Sequence, residues 1–403
     1  MYKLISSIIL LTIFLSGCRT STEPVPPEKK PLGYQEDVPW PSLADSPWPM
    51  EHHDPQYTGR SKFAGPSSFN VTKLIDVPDL QPGISIGEDS VVYIPSNFIF
   101  YAVDLLGKIK FQQSYGIYTL TTPIVKKGNK IVIYYESKSS IIEIDSSGQI
   151  IWRYKLNFNL STQLGIDKAG NIYFVNEGIL YVINNNGKLF WSLADEKLGG
   201  MASFSFSPDG SILYLSRNSG PTIIAIDLNQ RKIIWTFGKS GYIDYPSLID
   251  SDGNIYFSSE GDDNNTPGFY SVSPEGKVNW HFSHNMFYWH YANHTPPTMD
   301  KNGNIYFGQD TLYSFDIDGN LRWKKYIEHV STPTPLICDA ENNIYVTLGA
   351  TGRWGIVKLN SNGNILLSTS DDAFVGETSA YSPVILDKMI VMPTQDKYVY
   401  LIK

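Results

Sequence analysis

Cysteine is nearly absent from this chain: there are two in 403 residues, and one of them, Cys18, closes what reads as an export signal. The other, Cys338, then has no intramolecular partner, which excludes an exported domain held together by disulfides. Its flank, Pro335-Leu336-Ile337, reads as a buried strand, so Cys338 is expected to be an inert core thiol. A basic surface is also missing. The net charge is −8 and no lysine-rich run occurs, which argues against nucleic acid as a partner. Nor is there an apolar run long enough to span a bilayer as a helix. The stretch from Leu4 to Leu15, preceded by Lys3, is too short and reads as the h-region of a signal peptide.

Leu15-Ser16-Gly17-Cys18 resembles a bacterial lipobox, which implies cleavage before Cys18 and acyl chains on its sulfur and amine. From Arg19 to Pro47 come Pro24, Pro26, Pro27, Pro31, Pro39, Pro41 and Pro47 with few aliphatic residues, a composition expected to form an extended, disordered tether. Arg19 stands where an aspartate would resemble an inner-membrane retention signal, so in a Gram-negative host the outer membrane is favoured, on its periplasmic side or surface. The expected divisions are a signal peptide over 1–17, a flexible tether over 18–47 and a folded domain over 48–403.

What the folded part has in abundance is self-similarity, at a period of about 40 residues, which belongs to propellers and solenoids. A turn, a glycine, three residues and an aromatic recur at Gly107 to Phe111, Gly148 to Trp152, Gly187 to Trp191, Gly276 to Trp280 and Gly319 to Trp323. Two instances are degenerate: Trp235 has Arg231 where glycine belongs, and Gly363 leads to Leu367. A second signature, Asn-Ile-Tyr, recurs at Asn171, Asn254, Asn304 and Asn343. Each unit reads as four short strands joined by tight turns. Strands such as Ile172-Tyr173-Phe174-Val175 are apolar on both faces, so the sheet must be covered above and below, as radially packed blades are. The tryptophans then fit as plugs between blades.

Seven complete units run from Val77 to Thr369, and the remainder from Phe374 to Lys403 supplies only three strands. The fourth is expected from Phe69 to Asp76, so both ends would share one blade and leave no open sheet edge. The expected fold is all-β, a single eight-bladed propeller closed by an N-terminal strand, with seven blades as the alternative.

The Gly-x-x-x-Trp repeat with its Asn-Ile-Tyr partner resembles the PQQ-like repeat. So does the lead-in Ser46-Pro47-Trp48-Pro49-Met50, with Asp54, Thr58-Gly59-Arg60-Ser61 and Gly65-Pro66. With the lipobox, the chain resembles the BamB-like lipoproteins of outer-membrane-protein assembly. That resemblance implies an eight-bladed scaffold whose partners are envelope proteins. Quinoprotein alcohol dehydrogenases share the repeat, but they typically carry an adjacent cysteine pair and a calcium site with a catalytic aspartate. Here no two cysteines adjoin and no Cys-x-x-Cys-His signature exists, so neither a bound quinone (PQQ) nor a haem is expected.

Other motifs have plainer readings. Gly83 to Gly87 matches a nucleophile elbow, but a strand follows where the elbow needs a helix. The runs at Asp167 to Asn171, Asp250 to Asn254 and Asp300 to Asn304 look like openings of calcium loops, yet lack the closing glutamate and are expected to be hairpin turns. The segment His281 to His294 holds four of the seven histidines. It falls between two blades, on the side expected also to carry the long turns at Asp262-Asp263 and Arg353-Trp354. A zinc site from His284, His290 and His294 matches no defined spacing, so no metal is assigned. Aromatic residues beside arginine make binding hot spots, and the candidate contact face is therefore His284, Tyr288, Trp289, His290, His294, Asp262, Asp263, Arg353 and Trp354, with no catalytic residue among them.

The expected function is a non-catalytic, lipid-anchored, monomeric scaffold of the cell envelope that binds proteins through one loop face. A carbohydrate- or polymer-binding propeller and, further off, a quinone-dependent dehydrogenase are the alternatives. Replacing Cys18 with Ser should move the protein from the membrane fraction to the soluble fraction, and unchanged membrane attachment would remove the lipid anchor from this reading.

Overall fold

The computed structural model describes residues 30–403 apart from 82, 116–120, 136–138, 161, 240–242, 244, 260–266, 284–295, 309, 329, 331–334, 350–353, 371–372, 375–381 and 396. The described residues form eight four-stranded antiparallel sheets, the blades of a propeller. In chain order their innermost strands are Ser85–Ile86, Ile124–Lys126, Gly165–Ile166, Ala202–Phe206, Leu248–Ile249, Thr298–Met299, Ile337–Cys338 and Val384–Leu386, which number blades 1 to 8. Blade 8 borrows its outer strand, Val71–Asp76, which pairs with Tyr398–Ile402. The ring is thus closed by the segment the repeat count left over.

Within a blade the three inner strands are buried and the outer one alternates. Ile172–Asn176 is buried up to its last residue, whereas Leu189–Ala194 exposes Leu189 and Phe190 and buries Trp191. The outer strand of each of the first seven blades also carries an irregularity that the repeat did not announce. The register slips at one position, so that in blade 3 Val182 faces Trp191 and Ile183 faces Leu189. Phe190 is left out of the ladder, and it is 53% exposed. The same slip skips Ile151, Ile234 and Leu366. A bulge bends the strand and adds twist, and here it immediately precedes the aromatic position.

That aromatic locks one blade to the next. A Cβ on Gly187 would lie 2.5 Å from the Trp152 ring of the preceding blade, and one on Gly319 equally close to Trp280. Both glycines have positive φ, so the repeat needs glycine for the turn and for the bare surface on which the neighbouring ring lies. The indoles of Trp235, Trp280 and Trp323 donate to the carbonyls of Pro274, Ile317 and Ser361, each in the following blade, at 2.8, 3.0 and 2.9 Å. The degenerate units follow from the same contact. Arg231, at φ 55°, keeps the turn and places its guanidinium 5.5 Å from the Trp191 ring centre, a cation–π contact in place of the glycine shelf. Leu367 precedes blade 8, where the chain ends replace the turn that would hold that glycine.

The Asn-Ile-Tyr signature is a hydrogen-bond device. In blade 5 Asp250 accepts from its own turn at Asp252 N and Asn254 N, from the Asn254 amide at 2.9 Å and from the Tyr256 hydroxyl at 2.8 Å. Asp167, Asp300 and Asp339 do the same with Tyr173, Tyr306 and Tyr345. The turn reading of these carboxylates therefore holds. Burial together with the adjacent carboxylate pushes each of these phenols well up, so they stay donors.

The expected tether boundary at Pro47 is displaced. Trp40, Leu43, Ala44 and Ser46 are buried, and the chain from Trp40 to Ala64 lies across the channel and bonds to the innermost strand of every blade. Its carbonyls at Trp48, Pro49, Pro55, Gln56, Thr58 and Gly59 accept from Ile86, Val125, Phe206, Ile249, Met299 and Cys338, and that of Ala64 from Lys388 in the turn after Val384–Leu386, whose Ile385 carbonyl accepts from the Ser61 hydroxyl at 3.5 Å. Blade 3 is reached by the Trp40 indole, which donates to the Ile166 carbonyl at 3.2 Å. An innermost strand has one edge unpaired, and its buried N–H groups need acceptors. Proline suits this segment because it offers a carbonyl without adding a donor to satisfy. Cys338 is fully buried within this ring, and burial pushes its thiol well above the ordinary range.

Trp191 is 8% exposed and Phe190, its neighbour in the bulge, 53%. Urea unfolding should show a loss of about 3 to 5 kcal/mol for Trp191→Ala and less than about 0.5 kcal/mol for Phe190→Ala. Equal losses would mean that the bulge does not decide which ring is the plug.

Candidate functional site

Chain direction divides the propeller into two ends. The first-to-second and third-to-fourth strand turns of every blade lie at one end. The second-to-third turns and the blade-to-blade connections lie at the other, here called the loop end. Three described strands end there around the expected face. Val278–Ser283 leads into 284–294, Ile255–Ser259 into 260–266 and Ile344–Leu348 into 350–353. His284, Tyr288, Trp289, His290, His294, Asp262, Asp263 and Arg353 themselves lie outside the described residues, as does Cys18. Trp354 is described. It is half-buried and packs against the cluster shared by blades 7, 8 and 1, so at least part of its surface serves the core. His281, on the outer strand of blade 5, stacks on Tyr270 with ring centres 4.4 Å apart.

Between the ends, the segment crossing the channel carries a polar cluster that the repeat pattern gave no reason to suspect. Thr122 Oγ1 donates to Glu51 Oε2 at 3.3 Å, and Tyr57 and Gln163 also hydrogen-bond to this carboxyl. Burial raises the Glu51 pKa against those bonds, and it raises the Tyr57 phenol further, with the adjacent carboxyl adding to the effect. His52 stacks on Tyr57 at 4.8 Å between ring centres and its Nε2 donates to the Pro297 carbonyl at 3.0 Å. Burial lowers His52 to about 4, so it is neutral at pH 7. Thr122, Gln163 and Pro297 all precede innermost strands, which places the cluster on the loop side of the crossing segment. The lead-in motif around Trp48 and Thr58 was visible in the sequence, but nothing in it marked which side chains meet.

At the opposite end the crossing segment and the blade turns enclose a cavity of about 640 Å³. Val38, Trp40, Leu43 and Pro49 supply its apolar wall, and Lys127, Ser251 and Lys301 come from the turns. Lys62 pairs with Asp45 and Lys301 with Asp37 across it. His53 is held through Nδ1 by Asp54 at 3.0 Å, while Asp54 also accepts from Thr58 and Gln56. Among the described residues no group of three His, Cys, Asp or Glu side chains is arranged to hold a metal ion. Ser85, the serine of the elbow-like motif, sits fully buried on a two-residue strand followed by another strand, so that motif forms a hairpin.

The buried histidine gives a pH test. Between pH 6.5 and about 4 the unfolded chain binds a proton at His52 that the folded chain does not. Its contribution is therefore intact above pH 6.5 and is lost as the pH falls to 4, by on the order of 3 kcal/mol. Glu51, raised by burial, acts with the opposite sign, so the comparison must be made against a variant. His52→Asn should be less stable at pH 7 yet flatter in urea midpoint between pH 6.5 and 4, and parallel profiles would mean that His52 is not buried neutral.

No protein-family model matches the chain, and no curated protein matches it. Solved structures do. BamB from Moraxella catarrhalis aligns over 83% of this chain and 97% of its own, at 17% identity and a TM-score of 0.60. A catalytically inactive virginiamycin B lyase from Staphylococcus aureus with quinupristin aligns over 83% and 99%, at 13% identity and a TM-score of 0.52. Hydrazine synthase of Kuenenia stuttgartiensis aligns over 72% and 97%, at 15% identity and a TM-score of 0.50. At these identities the likeness is one of fold alone: this chain is a ring of eight four-stranded sheets, a propeller whose fold is similar to that of BamB.

Proposed function

We propose that the chain is a non-catalytic, lipid-anchored scaffold of the cell envelope, attached through Cys18, that binds partner proteins through its loop end. The observation that carries this reading is the crossing segment. The channel of the ring is filled by the chain's own residues, bonded to every blade, and the variable connections are concentrated at one end. Loops on a rigid frame are where recognition resides. The likeness in fold to BamB supports a protein as the partner and outer-membrane-protein assembly as the setting. A carbohydrate or polymer ligand is the second reading, and the cavity at the turn end is the feature in its favour.

The test is crosslinking in intact cells, with the linked peptides mapped. The native chain is compared with a variant in which Tyr288, Trp289, His290 and Trp354 are changed to Ala and whose circular dichroism is unchanged. Crosslinks from the loop end to a defined set of envelope proteins, lost in the variant, are expected. Crosslinks confined to the turn end, or none with either form, would overturn the loop-end scaffold and bring glycan and quinone binding forward.

A further inference from the structure

Three lysine or arginine side chains are buried among the described residues: Lys126, Lys358 and Arg217. Lys126 is paired with Glu143 and bonded to Asn185. Lys358 faces Asp339 at 3.7 Å and donates to the Pro66 carbonyl at 3.0 Å. Arg217 has no such company. It is 2% exposed, its Nε and Nη1 are buried without a hydrogen-bond partner, and among the described residues no carboxylate is paired with it. A guanidinium does not escape burial by losing its proton, and burial, which draws this one down to about 10, leaves it charged at neutral pH. A buried cation that keeps its charge requires a counter-charge or donors filled by acceptors.

The position of Arg217 is set by the strand. It ends Ile212–Arg217, the second strand of blade 4, at the loop end. Side chains alternate along a strand. Ser216 bonds to Ser247 of blade 5 at 2.8 Å, and Leu213 and Leu215 pack with Leu198 in the cluster shared by blades 3 and 4, so Arg217 turns towards blade 3. Gly200 and Gly220 flank the guanidinium. A Cβ at Gly200 would lie 3.3 Å from Nη2 and one at Gly220 3.3 Å from Nη1, and both glycines have positive φ. On the Gly220 side nothing but backbone borders Nη1, whereas on the Gly200 side the Ser219 hydroxyl and the Asn218 amide oxygen lie close by and leave Nε and Nη1 unfilled.

We propose that Arg217 anchors a carboxylate-binding site between blades 3 and 4 at the loop end. A single guanidinium matches a single negative charge, and its planar donors match the planar acceptor, whereas a phosphate dianion would be left half neutralised. The site stands independently of the scaffold reading, because a carboxylate reaches it either as a small free acid or as the terminus of a peptide.

The experiment uses purified full-length protein and sodium acetate. Thermal unfolding is followed as chloride is replaced by acetate at constant ionic strength. The native midpoint should rise saturably, by on the order of 2 °C. Arg217→Met, which removes the uncompensated charge, should start higher in chloride and not respond to acetate. The same response in both forms, or none in the native chain, overturns the site. Should the variant fail to fold, line broadening of [13C]acetate by the native chain decides the matter, since its absence overturns the proposal. Tetraglycine with a free C-terminus displacing acetate identifies a peptide source, and failure to displace it identifies a small acid. Displacement by the C-terminal amide, or tenfold tighter displacement by inorganic phosphate, rules out a carboxylate site.

Discussion

A ring of sheets has an inner edge, and the rest of this structure depends on how that edge is satisfied. Each blade's four strands make three pairings, and the innermost strand turns an unpaired row of N–H groups towards the axis. In blades 1, 3, 5, 6 and 7 that strand is only two residues long. The segment from Trp40 to Ala64 supplies acceptors from its own backbone to every blade but the third, where the Trp40 indole donates to the Ile166 carbonyl instead. A buried donor left unsatisfied costs about 1–3 kcal/mol, so a ring lacking this segment would carry several such deficits at once. The crossing segment is thus part of the fold's hydrogen-bond inventory, and its prolines are there as acceptors without donors.

The outer part of the ring is held by a different principle. Between blades there are no ladder bonds, only side chains, and the repeated contact is an aromatic ring laid on a bare glycine turn. The bulge before the aromatic position aims the ring, the glycine receives it, and the indole N–H finds a carbonyl in the next blade. The exceptions support the rule. Arg231 replaces glycine and answers Trp191 with a cation, and Gly107 of blade 1 is met by the backbone carbonyl of Leu74, the residue skipped at the bulge of the borrowed strand. The contact survives the splice even where the chemistry changes.

This division explains what could be read from the sequence. Blade number and closure were legible because the inter-blade contact repeats, and a repeat shows through as spacing: Gly187 and Trp191 declare a turn and a plug without any knowledge of the partner blade. The Asp-x-x-Gly-Asn turns were legible as turns, while the bond from Tyr256 to Asp250 needed the strand to bring position six back over position zero. The crossing segment was not legible, because each of its residues meets a different blade and no period results; its proline density read as a tether. Its lead-in residues were noticed, but Glu51, His52 and Tyr57 become a cluster only once Thr122 and Gln163 arrive from two blades. Arg217 is the extreme case. In sequence it is one more polar residue at a strand end, and its burial without a counter-ion exists only in three dimensions.

The two ends of the ring consequently differ in kind. The turn end is built of short hairpins, repeated around the ring and tied by the crossing segment into a cavity whose charged residues include the pairs Lys62–Asp45 and Lys301–Asp37. Variation there would disturb the turns that carry the Asp-Asn-Tyr device and the glycine shelves. The loop end bears neither device. Its connections are free to lengthen, as those at 260–266 and 284–294 do, without breaking a blade-to-blade lock, and it is also where Arg217 keeps a charge that the protein itself does not neutralise. Stability is invested at one end and along the axis, which leaves the other end available for recognition.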